Sequence, residues 1–291
     1  MVWLIGCGGM LGTEAAQKLA DAGIDFVGTD REVDITDFDA LDAFRQTQKE
    51  KITFIINCAA YTAVDKAEDE PALAEKINAD GPRMIARVAK RAGARLIHIS
   101  TDYVFDGTAT APYAEDAPLA PIGVYGRTKA GGEAAVQAET DAFYILRTAW
   151  LYGDAGRNFV STMIQAMNTR DSLKVVADQY GTPTYTADLA AVIIALIRRA
   201  GEGAALPSGI YHVTGLGETN WYEFAKEIQR QAGARGLITH ECAIHPCTTA
   251  EYPTKAKRPA YSVLCKDKIQ TLLGIQLTRW QESLAVFLAS K

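Results

Sequence analysis

The chain has 291 residues, of which 48% are hydrophobic and 22% charged, with a formal net charge of -5. These values suit a globular chain with a real core, organised as one large domain or two modest ones. The acidic balance argues against a dedicated DNA- or RNA-binding protein, which carries a basic stripe, and no apolar run approaches the length of a membrane span, so neither nucleic acid nor a membrane is an expected partner.

The opening "MVWLIGCGGM" lacks the positive segment and small-residue cleavage site of a secretion signal, and its apolar run reads better as a strand. "VWLIG" is therefore the first strand, and "MLGTEAAQKLADAG" a helix that stops at Gly23. "IDFVGTD", "ITFIINCAA" and "RLIHIS" read as further strands. "PALAEKINADGPRMIARVAKRAG" is a long helical stretch entered through Pro71 and closed by Gly93. "FYILRTAWLYG" reads as one more buried strand. Such alternation predicts an α/β fold with a doubly wound parallel sheet (Rossmann). After residue 150 the rhythm weakens. "KVVADQYGTPTYTADLAAVIIALIRRA" reads as strand, turn and helix, "GIYHVTGLGETNWYEFAKEIQRQAG" as strand, loop and amphipathic helix, and "HPCTTAEYPTKAKRPAYSVL" as a Pro-rich basic loop. Residues 151–291 are expected to form mainly a smaller, less regular substrate-binding domain over the sheet's carboxyl edge. A helix near 186–200 is expected to pack back on residues 1–150. The five cysteines (7, 58, 242, 247, 265) are odd in number and scattered, which points to a reducing compartment, most simply the cytoplasm.

The loop "GCGGMLG" joins the first strand to the first helix and fits G-x-x-G-x-x-G through Gly6, Gly9 and Gly12. Glycines there allow a tight turn, close approach to a pyrophosphate and close helix–strand packing, and the helix N-terminus offers N–H donors to phosphate. Residues 1–150 are thus the expected dinucleotide-binding domain. Asp30 follows Gly12 by 18 residues, near where an acid holds ribose hydroxyls, while the adjacent Arg31 suits a 2′-phosphate. The signal is mixed between NADH and NADPH, and both residues also suit a solvated turn. Asp34 and Ile35 are placed to cover the adenine. The small Ala59 and Ala60 of "NCAAYTAVD" would leave room for the cofactor.

In "YGRTK", Tyr125 and Lys129 stand four apart and share one face of a helix. A cation near the phenol would lower its pKa and bring it toward the range useful for acid–base work; on spacing alone, a plain surface pair is the commoner arrangement. "HISTDYVFDG" adds to the pair, because its strand ends at Ser100-Thr101, where a hydroxyl faces the ligand crevice. Thr101 would hydrogen-bond a substrate carbonyl there, or simply cap a turn.

"GCGGMLG", "NCAAYTAVDKAE", "STDYVFDG", "YGRTK", "LRTAWLYG", "NFV", "DQYGTPT", "GIYHVTG", "NWYEFA" and "KRPAYSVL" run in order across nearly the whole chain. Together they resemble the dTDP-4-dehydrorhamnose reductase family of the extended short-chain dehydrogenase/reductase superfamily. The resemblance implies reduction of a nucleotide-sugar C4 ketone by NADPH or NADH. It implies that Tyr125 donates the proton, that Lys129 depresses its pKa and holds the nicotinamide ribose, and that Thr101 tunes and orients the oxygen. Gly9, Met10, Leu11, Ala59, Ala60 and Tyr61 would border the cofactor. Val64, Thr101, Asp102 and Trp150 would border the sugar, and Arg258 would meet the diphosphate, with Lys255 and Lys257 either joining it or forming a solvated basic loop. Related dehydratases usually carry Glu after Thr-Asp, whereas position 103 here is Tyr, which favours a reductase. Position 261, usually Asn in the family, is Tyr.

Some members hold a divalent metal (Mg) between subunits through glutamates. Glu14 matches one such position, but "YTADLA" around Asp188 lacks the other, which argues against an interface metal. "HECAIHPC" fits no common zinc spacing, and His98 and His212 sit in strand-like runs that suit a core. Gly131 and Gly132 follow the pair within a helix and imply a close approach by another element. Alternatives are a reductase of another nucleotide-linked keto-deoxysugar, or a non-catalytic NADP-binding subunit like the regulatory subunit of methionine adenosyltransferase. The retained Thr101, Tyr125 and Lys129 speak for an enzyme, and a homodimer is compatible with the resemblance.

Overall fold

The computed structural model describes residues 1–202 and 206–291. Short apolar runs become strands of one parallel sheet: β1 (Val2–Ile5), β2 (Phe26–Thr29), β3 (Phe54–Asn57), β4 (Arg95–Thr101), β5 (Phe143–Thr148) and β6 (Gly209–His212). Their spatial order is β6-β5-β4-β3-β1-β2, every pair parallel. The order changes direction between β1 and β3, where the carboxyl ends of a doubly wound sheet open a crevice for ligands.

Alternation along the strands builds a core on each face. Val2, Leu4, Phe54 and Ile56 pack against the helices Met10–Asp21 and Thr186–Gly201. Trp3, Ile5 and Ile55 pack against Phe38–Thr47 and Gly81–Ala92 on the other side. A third core gathers aromatic side chains from the later chain, among them Tyr152, Tyr185, Phe224, Trp280 and Phe287. Among the described residues no helix is long and apolar enough to cross a membrane.

Two features differ from the expectations. Strand β6 pairs with β5 in the main sheet, so this sheet draws on residues well beyond the expected division at 150. The apolar run "FYILRTAWLYG" is not one strand. It breaks where Trp150 takes a left-handed conformation (φ 48°), and Leu151–Tyr152 leaves to pair with Thr184–Tyr185. In "HECAIHPC", Cys242 and Cys247 are both buried, and His240 meets Asp171 at 3.0 Å. His98 and His212 are buried in the sheet layer, each facing a polar neighbour, Asn57 and Arg147 respectively.

The helix Val124–Glu139 is held by backbone contact at its glycines. A Cβ on Gly132 would stand 2.2 Å from the Asn78 carbonyl oxygen, and one on Gly126 would stand 2.1 Å from that of Tyr103. At Gly131 the nearest atom would be the Ala79 Cβ, at 3.2 Å. Gly132→Ala is therefore expected to destabilise the protein by about 1–3 kcal/mol through overpacking. Gly131→Ala should stay within about 1 kcal/mol of wild type, because its helix-propensity gain offsets the tighter contact. Urea unfolding of the two variants measures the contrast.

Candidate active site

At the carboxyl end of β1 the chain must turn sharply into a helix, and Gly6 does so with φ 78°. A Cβ there would lie 2.7 Å from the Ala59 nitrogen, and one on Gly12 would lie 2.0 Å from the Gly6 oxygen, so both glycines serve close packing. Gly9, the extended N-cap residue, would bring its Cβ near only the Gly6 oxygen (3.3 Å), and thus presents bare backbone outward. No side chain caps the first turn of Met10–Asp21, which leaves its N–H groups available to an anion.

A cavity of about 900 Å³ opens here. Gly6, Gly9, Asp30, Arg31, Asp34, Ile35, Ala59, Ala60 and Tyr61 line it, together with Gly8, Cys58 and Lys66, which the sequence reading did not single out. Met10, Leu11 and Gly12 do not line it, and the Leu11 side chain belongs to the core. Asp30 accepts the Gly8 N–H at 3.1 Å, which ties the second strand's acid to the glycine loop; Arg31 beside it is exposed. Asp34 accepts both the N–H and the hydroxyl of Thr36, which hold its carboxyl below the usual range.

The second part of the site lies at the end of β4. Thr101 caps the turn Asp102–Val104 by accepting the Tyr103 N–H at 3.2 Å. Tyr125, on the helix Val124–Glu139, brings its phenol against the Thr101 hydroxyl and meets the Tyr103 ring edge-on at 5.5 Å. Tyr125 packs with Tyr61, a wall of the cavity, on Ala67, Ala74 and Val124. Lys129 is 2% exposed and lies in the field of Cys58, another cavity wall. Thr101, Tyr125 and Lys129 do not line the cavity themselves; Tyr125 packs with the lining Tyr61, and Lys129 lies near the lining Cys58.

The expected electrostatics are not what this arrangement produces. The Lys129 ammonium donates to the Ile99 carbonyl at 2.6 Å. Burial pushes the Tyr125 phenol up to about 12 against the opposing Thr101 hydrogen bond, and the Asp102 charge adds to the rise. Burial pulls Lys129 down to about 8, opposed by Glu133 one turn on. Lys129 is not among the groups that shift the phenol, contrary to expectation; desolvation dominates, so the phenol stays protonated at neutral pH, as a proton donor must be.

The sugar-side residues are more tightly engaged than expected. Trp150 stacks on Trp221 with ring centroids 3.6 Å apart, and Gly181 of "DQYGTPT" makes room for it: a Cβ there would lie 2.6 Å from the Trp150 ring. Arg258 directs its guanidinium to Asp65, at 2.8 Å and 3.3 Å, so it is not free toward a diphosphate as expected. Lys255 pairs with Asp69. Val64 starts the short helix that carries Asp65. Asp102 is 1% exposed and turns its carboxylate to the Thr101 hydroxyl rather than outward to a sugar. Tyr261 donates to Glu218 at 3.2 Å. Glu14 is half-buried in the field of Asp154 and Asp188, and burial raises its carboxyl.

Two supporting groups escaped the sequence reading. Asn78 sits in a π-helical segment (Lys76–Asp80), a form often found at functional sites. It bonds the Tyr61 backbone in both directions and the Thr128 hydroxyl, clamping a cavity wall to the helix of Tyr125. Glu133, on that helix, and Arg147, on β5, form a buried bidentate pair at 2.9 Å and 2.7 Å.

Comparison with known proteins adds to this geometry. The family model described as the RmlD substrate binding domain matches residues 1–291. A dTDP-4-dehydrorhamnose reductase of Aggregatibacter actinomycetemcomitans is 41% identical, covering 97% of this chain and 96% of its own. A dTDP-4-keto-6-deoxy-D-glucose reductase of Streptomyces niveus is 40% identical over 91% of this chain and 88% of its own. The crystal structure of a Bacillus anthracis dTDP-4-dehydrorhamnose reductase in complex with NADP superposes with a TM-score of 0.91 at 37% identity, covering 100% of this chain and 99% of that one.

Proposed function

The chain belongs to the dTDP-4-dehydrorhamnose reductase family, and from that premise we propose that it reduces the C4 ketone of dTDP-4-dehydro-L-rhamnose to dTDP-L-rhamnose. It is an NAD(P)H-dependent oxidoreductase. What supports the reading is that Tyr125 packs with Tyr61, and Lys129 lies near Cys58, both walls of a cavity floored by the glycine loop.

That cavity suits a dinucleotide because Gly9 leaves backbone where a Cβ would stand, and because the first helical turn is uncapped. Asp30 and Arg31 would hold the adenosine ribose and its 2′ substituent, and Lys129 the nicotinamide ribose. When bound, the dihydronicotinamide supplies the hydride. Tyr125 gives its phenolic proton to the C4 oxygen as charge develops there. Arg258, fixed on Asp65, steadies the loop that borders the sugar.

A second reading, reduction of another dTDP-linked 4-keto-6-deoxysugar, is favoured by the Streptomyces niveus relative at similar identity. Following NADPH and NADH absorbance with each keto-sugar in turn separates the two. Higher kcat/KM for dTDP-4-dehydro-L-rhamnose supports the first reading, and the reverse order the second. A cytoplasmic location fits the five free thiols, which a reducing compartment maintains.

A further inference from the structure

We propose that Asp102 is a positioning residue that restores the proton Tyr125 gives to the substrate, acting through the hydroxyl of Thr101; this rests on the reading of Tyr125 as the donor. Three oxygens stand in sequence behind the ketone site. The Asp102 carboxyl, 1% exposed, meets the Thr101 hydroxyl at 3.0 Å through Oδ1, and that hydroxyl faces the Tyr125 phenol.

The Thr101 oxygen also accepts the Tyr103 N–H, so its single proton has two competing acceptors, Asp102 and Tyr125. While Asp102 is ionised, that proton is held on the carboxylate side, and the Asp102 charge opposes formation of a phenolate. Once Asp102 is protonated, its O–H turns to the Thr101 oxygen and the threonine proton is released toward Tyr125.

Burial favours the protonated form, against the Ser262 and Thr101 hydroxyls and the Asp102 and Tyr103 backbone, which favour the carboxylate. Asp102 Oδ2 is buried without a hydrogen-bond partner, and Ser262 lies beside it. The other groups facing it are the phenols of Tyr103 and Tyr125, and the Arg258 charge beyond Tyr103 is already paired with Asp65. Asp102 makes no ion pair among the described residues. Burial raises its carboxyl to about 6.

The step balances as follows. As C4 receives hydride, its oxygen takes the Tyr125 proton, Tyr125 takes the Thr101 proton, and Thr101 takes the Asp102 proton, all concertedly. The products are an alcohol and a buried carboxylate, which regains a proton from water between turnovers. The protonated carboxyl is the active form, so reduction weakens as pH rises through the Asp102 midpoint.

The test follows kcat/KM for ketone reduction against pH in wild type and Asp102→Asn, whose amide oxygen still accepts from Thr101. Wild type should lose activity with a one-proton slope above about pH 6. The variant should lack that limb and run roughly tenfold or more slower at pH 6. An infrared carboxyl band that titrates near pH 6 without substrate should vanish with the substitution. An active Asp102→Asn enzyme that keeps the limb and its rate overturns the proposal. If the variant fails to fold, a proton inventory on wild type at pH 6 decides. A curved dependence on deuterium content supports several protons in flight, and a straight one overturns it. A wild type that reduces no keto-sugar would instead overturn the reading of function.

Discussion

Tyr125→Phe is expected to lower kcat by roughly 10²–10⁴-fold, the usual contribution of a positioned general acid. The phenol's raised pKa keeps it protonated across the neutral range, with the Thr101 hydroxyl beside it. The ring itself should stay in place. It packs with Tyr61 on Ala67, Ala74 and Val124 and meets Tyr103 edge-on, contacts that phenylalanine reproduces. Dinucleotide affinity, read from the quenching of tryptophan fluorescence, should therefore change little while turnover collapses. Equal loss of both would mean that the substitution disturbed the cavity wall rather than the chemistry.

Glu133→Gln is expected to destabilise the fold by about 3–5 kcal/mol, because it leaves the Arg147 guanidinium buried without its counter-charge. Glu133 is 0% and Arg147 1% exposed. Both Glu133 oxygens accept from Arg147, one of them also from Ser100, and the guanidinium lies over the Phe105 ring at 5.1 Å. This pair anchors the helix one turn beyond Lys129 and two beyond Tyr125, so loosening it should cost activity as well as stability. Urea unfolding with a parallel assay reads both. Replacing the two residues together with apolar side chains of matched volume should recover much of the stability. It should not restore the helix position, and activity should stay low.

What could be read from the sequence follows the range of the interaction involved. The strands of the first half are set by local alternation and by Gly and Pro punctuation, and Gly23 and Gly93 end their helices in left-handed conformations as glycines there should. The turn at Gly6 is likewise a local necessity. The sequence reading passes over the helix Phe38–Thr47, although Asp37 caps it by accepting from two N–H groups. It also runs β5 through Trp150, because nothing in "RTAWLYG" announces a non-glycine residue at positive φ; that conformation is held by Trp221 and Gly181 from far along the chain.

The site divides in the same way. Four-residue spacing puts Tyr125 and Lys129 on one face, but side-chain direction depends on where acceptors lie, and the nearest for Lys129 is the Ile99 carbonyl. Arg258 looks like a free cation in "KRPAYSVL" because its partner, Asp65, lies 193 residues away. Asn78 carries no signal in "KINAD", since its role comes from tertiary contact with Tyr61 and Thr128. Only the family resemblance places Asp102 near the sugar, and in the structure it is buried and turned to Thr101.

The most direct test of hydride delivery and protonation at this site is isotopic. Purified protein is mixed with dTDP-4-dehydro-L-rhamnose and NADPH carrying deuterium at both C4 positions of the nicotinamide, and the sugar is read by NMR. The account predicts one deuterium at sugar C4, bonded beside a new hydroxyl, for each NADPH oxidised. Cofactor oxidation with no deuterium at C4, or no reaction with either dinucleotide, would contradict it.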